Sequence, residues 1–137
     1  NVDIIIGSHP HVLQKMELIQ KGGVNNEHLV AYSLGNFVSA QRTRKRDGGA
    51  MLKLTLEKRN NKVNISNCGY YLTWVNQYRI NNKTKFEVVS CSTMENELNN
   101  NLDSKLKDKM NLFLLDSRDL LNSENKNVHE LTKLNMK

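Results

Sequence analysis

The rhythm of hydrophobic and polar positions changes twice along this chain. Residues 2 to 6, Val-Asp-Ile-Ile-Ile, are a short, largely β-branched run. Such a run predicts a strand buried on both faces. From Gly49 to Lys58 the pattern alternates, with Met51, Leu52, Leu54 and Leu56 set against Lys53, Thr55 and Glu57. That is the mark of a half-buried strand. Further strands are expected over 16–20, 28–34, 63–80 and 85–91, with turn-rich stretches at 21–26, 59–62 and 81–84 between them. The pair 16–20 and 28–34 reads as a hairpin, and the middle of the chain as an antiparallel meander.

After residue 91 the period becomes helical. Ser92-Thr93-Met94-Glu95 has capping-box spacing. Behind it Met94, Leu98, Leu102, Leu106 and Met110 recur every four residues, which predicts one amphipathic helix. Phe113, Leu114 and Leu115 extend its apolar side, and Leu120 and Leu121 close it. Residues 122–137 are polar and read as a frayed tail with a last helical turn near 128–134. The pattern therefore divides the chain into a β-rich part, 1–91, and a helical tail, 92–137. The fold class is α/β, and α+β within this stretch, with mostly antiparallel strands followed by a C-terminal helix.

Length and composition change this picture little. The 137 residues fit one domain, 38 % hydrophobic and 25 % charged. No apolar run reaches the length of a membrane span. The chain opens almost inside a strand and without Met, so it is expected to be a piece of a longer polypeptide; a processed mature terminus is the competing explanation. Cys68 and Cys91 are spaced neither as a disulfide framework nor as a zinc site, and are expected to be unpaired core thiols. Twenty asparagines point to a compositional bias.

The formal charge is +6. Such a balance favours anionic partners in general, but it is spread out except at Arg42, Arg44, Lys45 and Arg46. Guanidinium forks fit phosphate, which makes Arg42, Arg44 and Arg46 candidate anion-binding residues; a solvated loop fits the same pattern. The cluster lacks the interleaved aromatics of a single-strand nucleic-acid platform, and no nucleic-acid partner is expected.

The chemistry concentrates in "IIIGSHPHVLQ", residues 4–14. Gly7 lets the chain turn sharply after the first strand, and Pro10 biases His9 towards extended backbone. In an extended stretch His9 and His11 would face the same way, just beyond the carboxyl end of a strand, where ligands of α/β sheets gather. Imidazole is the commonest metal ligand. Two readings fit: a pair of metal ligands, or two polar residues in a loop. A catalytic metal needs about three protein ligands, and no carboxylate cluster lies near in sequence. Gly35-Asn36, after Tyr32-Ser33-Leu34, reads either as a strand terminator or as a wall beside the site.

"DIIIGSHPHVLQKMELI", "HLVAYSLGNFVSAQ", "GGAMLKLTLEK" and the later "YLTWVNQYRI" occur in that order. Together, over roughly residues 1–90, they resemble the bacterial capsule-synthesis proteins of the CapA type. That family is associated with poly-γ-glutamate capsules and carries a calcineurin-like metallophosphatase fold, a β-sandwich flanked by helices. The resemblance implies a two-metal centre of divalent ions and phosphoesterase-like chemistry, in the bacterial envelope outside the cytoplasm. It makes His9 and His11 metal ligands, with Gly7, Ser8, Gly35 and Asn36 as walls of the site. The family pattern is Gly-His-x-His; here Ser8 stands between the glycine and the first histidine. The family's other ligand motifs (Asp-x-His or Asp-x-Asn, Gly-Asp, Asn-His) do not occur in this chain. The resemblance therefore implies a C-terminal piece whose partner is the N-terminal half of the same fold, and which alone is not expected to hydrolyse a phosphoester. The alternative is a non-catalytic β-rich module that binds an acidic polymer through its basic loop.

Overall fold

The computed structural model describes residues 2–20, 27–97 and 103–132. Its elements are β1 (Ile4–Ile6), β2 (Met16–Gln20), β3 (Glu27–Ala31), β4 (Gly48–Arg59), β5 (Lys62–Ile80), β6 (Lys83–Ser90), α1 (Cys91–Glu97), α2 (Ser104–Glu124) and β7 (His129–Glu130). They form an α+β arrangement of two sheets. The first has the order β1-β3-β2, with β1 parallel and β2 antiparallel to β3. The second is the antiparallel run β4-β5-β6, and β7 pairs with β5 in parallel.

Local sequence accounts for most of these elements. β2 falls on the expected residues. β5 is one strand of 19 residues and covers the expected stretch 63–80. Its two hairpins turn on Asn60-Asn61 and Asn81-Asn82, all four with φ between 49° and 62°. Positive φ at both central residues is what a type I′ hairpin turn requires, and Asn tolerates it better than any other non-glycine residue. Part of the asparagine excess thus has a structural use.

One core unites both sheets and α2. Leu13, Met16, Leu29 and Ala31 meet Ala50, Ile65, Tyr70, Leu72 and Trp74, and Met110, Phe113, Leu114 and Leu121 close over them. Residues 71, 73 and 75, on the opposite face of β5, are buried as well. Each large side chain so buried contributes about 1.5–3 kcal/mol. Cys68 and Cys91 are free thiols, and burial pushes Cys91 up to about 12, which leaves it unreactive.

Several expectations differ from the structure. Ile5 and Ile6 are 49 % and 56 % exposed, because β1 is the edge of its sheet and no layer covers it among the described residues. The expected single helix is two, α1 and α2; Leu98 and Leu102, which would have joined them, lie outside the described residues. Ser92, expected to cap the helix, lies inside α1, and the Glu95 carboxylate takes a two-pronged bond from Arg118 at 2.7 and 2.8 Å; Arg118 also binds Glu130. A guanidinium fork satisfied on both carboxylates outweighs one helix-end N–H.

The tail departs furthest from its pattern. α2 continues to Glu124, and the next residues are extended. Asn125 Oδ1 accepts from Met16 N at 2.7 Å, Lys126 N donates to Met16 O at 3.0 Å, and Leu18 N donates to Lys126 O at 2.9 Å. Residues 125–127 therefore close the free edge of β2. Val128 then enters the core and β7 joins β5. Lys126 also ends at Glu17, 2.8 Å away, where Lys15 and the Tyr32 hydroxyl converge at 3.2 and 3.0 Å.

These bonds, the Lys126 contact first and Lys15 second, hold the Glu17 carboxyl down at about 2 from an ordinary 4.5. A carboxyl lowered in the folded state stabilises the fold above its unfolded value and loses that contribution as pH falls. Thermal melts of the wild type are therefore expected to lose stability from about pH 4.5 downwards. In Glu17→Gln this acid limb is expected to flatten, and neutral stability to fall by about 1.5–3 kcal/mol, the worth of a charged hydrogen bond. An unchanged acid limb in Glu17→Gln would show that the cluster does not govern acid stability.

Candidate functional site

The position of the histidine turn follows from topology. β1 and β2 flank β3 on opposite sides. The connection 7–15 must therefore cross the carboxyl end of β3, beside the carboxyl end of the parallel β1. Gly7 begins the crossing by donating its N–H to Ala31 O at 2.7 Å. A Cβ at Gly7 would lie 2.2 Å from Tyr32 O, so only glycine allows this approach. Gln14 N to Ser33 O, 3.0 Å, and Tyr32 N to Lys15 O, 3.1 Å, end it.

Between these anchors lie His9 and His11, both exposed. The extended geometry expected from Pro10 is not what they adopt. His9 has φ 105° and His11 φ 60°. Positive φ costs a non-glycine residue of the order of 1–3 kcal/mol, and such outliers concentrate at ligand sites. Ser8 is exposed beside them, and Gly7 is half-buried.

Under the turn lies Asn36. After β3 the chain runs through Leu34, Gly35 and Asn36 to the second sheet, where Asn36 N donates to Gly48 O at 3.0 Å and Ala50 N to Leu34 O at 2.8 Å. Gly35 has φ 70°, and a Cβ there would meet Gly48 O at 3.0 Å. The Asn36 side chain is thereby buried, at 7 % exposure, with its Oδ1 2.9 Å from His11 Nδ1. Its Nδ2 donates to Arg46 O at 2.7 Å and Gln41 Oε1 at 3.2 Å. Asn36 and His11 are thus brought together across 25 residues, a contact the sequence pattern did not reveal. Gln41 was missed altogether. Its only signal was its place soon after Gly35-Asn36.

The basic loop is built differently. Arg42 lies over the Trp74 ring, 5.2 Å from its centroid, and donates to Val75 O at 2.6 Å. Trp74 Nε1 in turn donates to the buried Asp47 at 3.0 Å. Arg44 forks onto Asp116 of α2 with two 2.8 Å bonds. These arginines fasten the loop to β5 and α2. Arg46 and Lys45 are exposed.

The donor set at the turn is two imidazoles. Among the described residues no group of three or more His, Cys, Asp or Glu side chains stands where it could hold a metal ion. His11 suits a metal ligand, since a partner on one ring nitrogen leaves the other to bind. The pair falls short of a complete site by at least one ligand.

Residues 1–41 match the family model described as bacterial capsule synthesis protein PGA_cap. The matched segment holds the Gly7–His11 turn, Gly35-Asn36 and Gln41, and it supports kinship with capsule-synthesis proteins. No curated protein and no solved structure matches the chain.

Gly7→Ala is expected to push the chain off Tyr32 O and displace the histidine turn. The measurement is amide NMR shifts: large changes over 6–13 and 31–36, with those of β5 and α2 kept. Shifts unchanged around His9 and His11 would contradict the close approach at Gly7.

Proposed function

We propose that this chain serves bacterial capsule synthesis, and that His9 and His11 are ligands of a divalent-metal centre with phosphoesterase-like chemistry. One observation carries the metal assignment. The His11 ring is held by a buried amide at the ends of two parallel strands, inside the residues that match the capsule-synthesis family. Divalent ions at such a centre supply Lewis-acid polarisation of a phosphoryl oxygen. The chain's own part is to present imidazoles from a strained turn that is tied down at both ends.

The remaining ligands come from a further polypeptide segment, the N-terminal half of the same fold. The face it would cover is apolar. Ile5 and Ile6 are exposed on β1, and Ile6 continues into an open groove of ≈ 400 Å³ with Leu34, Phe37, Met51, Leu52 and Leu54. Exposed apolar surface next to an unpaired strand edge marks a place where another chain segment packs. The work of the whole protein is then on an acidic capsule polymer of the poly-γ-glutamate type, or on its precursors, in the envelope outside the cytoplasm. No helix among the described residues is long and apolar enough to cross a membrane.

The test is metal content. The protein expressed from its whole reading frame is compared with His9→Ala, His11→Ala and the double variant by elemental analysis after dialysis. The double variant is expected to lose at least about 100-fold in affinity, more than the loss of an outer partner costs. Equal metal in wild type and double variant would refute the ligand assignment.

A further inference from the structure

We infer that Asn36 is a positioning residue: it holds the neutral His11 ring as the Nδ1–H tautomer and so leaves the Nε2 lone pair facing out of the turn. One group in this contact has an unambiguous role. Arg46 O is a backbone carbonyl and only accepts, so the Asn36 atom 2.7 Å from it is the NH₂ group. The second neighbour of that group, Gln41 Oε1 at 3.2 Å, occupies its other hydrogen. The opposite end of the Asn36 amide is then the carbonyl oxygen, which has no hydrogen to give. Asn36 Oδ1 and His11 Nδ1 are 2.9 Å apart, so the hydrogen between them is carried by His11. A neutral imidazole carries one N–H, and Nε2 is left bare.

The chain of constraint is long for so small an effect. The amide cannot flip without placing its oxygen against Arg46 O, because Asn36 is buried and its backbone is tied to Gly48. Arg46 in turn sits at the end of a loop closed by the Asp47–Trp74 bond. A choice of tautomer on an exposed ring is thus enforced by packing beneath it. A bare Nε2 turned outward is the form in which an imidazole binds a cation. The value of this geometry to the protein rests on the metal reading above; the tautomer itself does not.

The experiment is designed to keep the two apart. The full chain is labelled with ¹⁵N-histidine and its ring nitrogens are recorded without metal at about pH 8.5, two units above the ordinary imidazole value. His11 signals are identified by their loss in His11→Gln. The wild type is expected to show protonated Nδ1 and bare Nε2; a protonated Nε2 in the wild type overturns the inference outright, and needs no variant. Asn36→Ala is expected to lose the Nδ1–H preference. A retained preference in the Ala variant also overturns it. Zn²⁺ alone is then titrated into wild type and Asn36→Ala, both expressed from the whole reading frame. A 10- to 100-fold weaker response of His11 Nε2 in the variant is expected, the usual cost of losing an outer partner (about 10–100-fold), and equal responses overturn the positioning role. Should neither protein respond to Zn²⁺, the metal reading falls while the tautomer result stands by itself.

Discussion

The close approach of two backbone segments, Leu34–Asn36 and Gly48–Ala50, is the constraint on which the rest depends. Two main-chain bonds of 3.0 and 2.8 Å join the sheets there. They form only because side chains are missing: a Cβ on Gly49 would lie 2.5 Å from Leu34 O, and one on Gly35 3.1 Å from the Gly49 Cα. The same junction opens and closes the loop 37–47, so the loop's ends are pinned to one spot and its arginines reach fixed partners. It also sets Asn36 below the histidine turn. Fold and candidate site thus share one piece of geometry, and a change at either glycine would be felt in both.

Charged networks do the remaining long-range fastening. Arg118 draws α1, α2 and β7 together through Glu95 and Glu130, and Lys126 ties the tail to Glu17 on β2. Arg44 joins the loop to α2. Exposed ion pairs contribute about 0–1 kcal/mol each. Those at Glu17 and Glu130 are stronger candidates, since the carboxylates are shielded while their cations stay partly in water. They take the place of apolar burial where the segments that must meet are short. β7, at two residues, is held as well by its pairing with β5 and by the buried Val128 before it.

The strands, their order in sequence and their hairpin turns were legible because each is a local matter. Alternation in β4, Asn pairs at the turns of β5 and the glycine before the histidines all report conformations their own residues prefer. β1 was misread for a reason equally physical. A run of isoleucines states that a segment is apolar, and nothing in it states which layer covers it. The tail was misread because Asn125, Lys126 and Asn127 are polar, which in sequence means solvent. Here they spend their polarity on the edge of β2, 109 residues away in the chain.

The candidate site divides along the same line. The chain by itself determined that two imidazoles stand beyond a strand end, after a glycine that permits the turn, and it carried the resemblance that gives them a role. Only the tertiary structure decided that His11 rests on Asn36, that the Asn36 amide is held by Arg46 O, and that both histidines adopt positive φ instead of extended backbone. The reason is range. A rotamer or a turn is chosen by neighbours within a few residues, whereas which hydrogen-bonding groups share a buried space is chosen by how the two sheets close on each other.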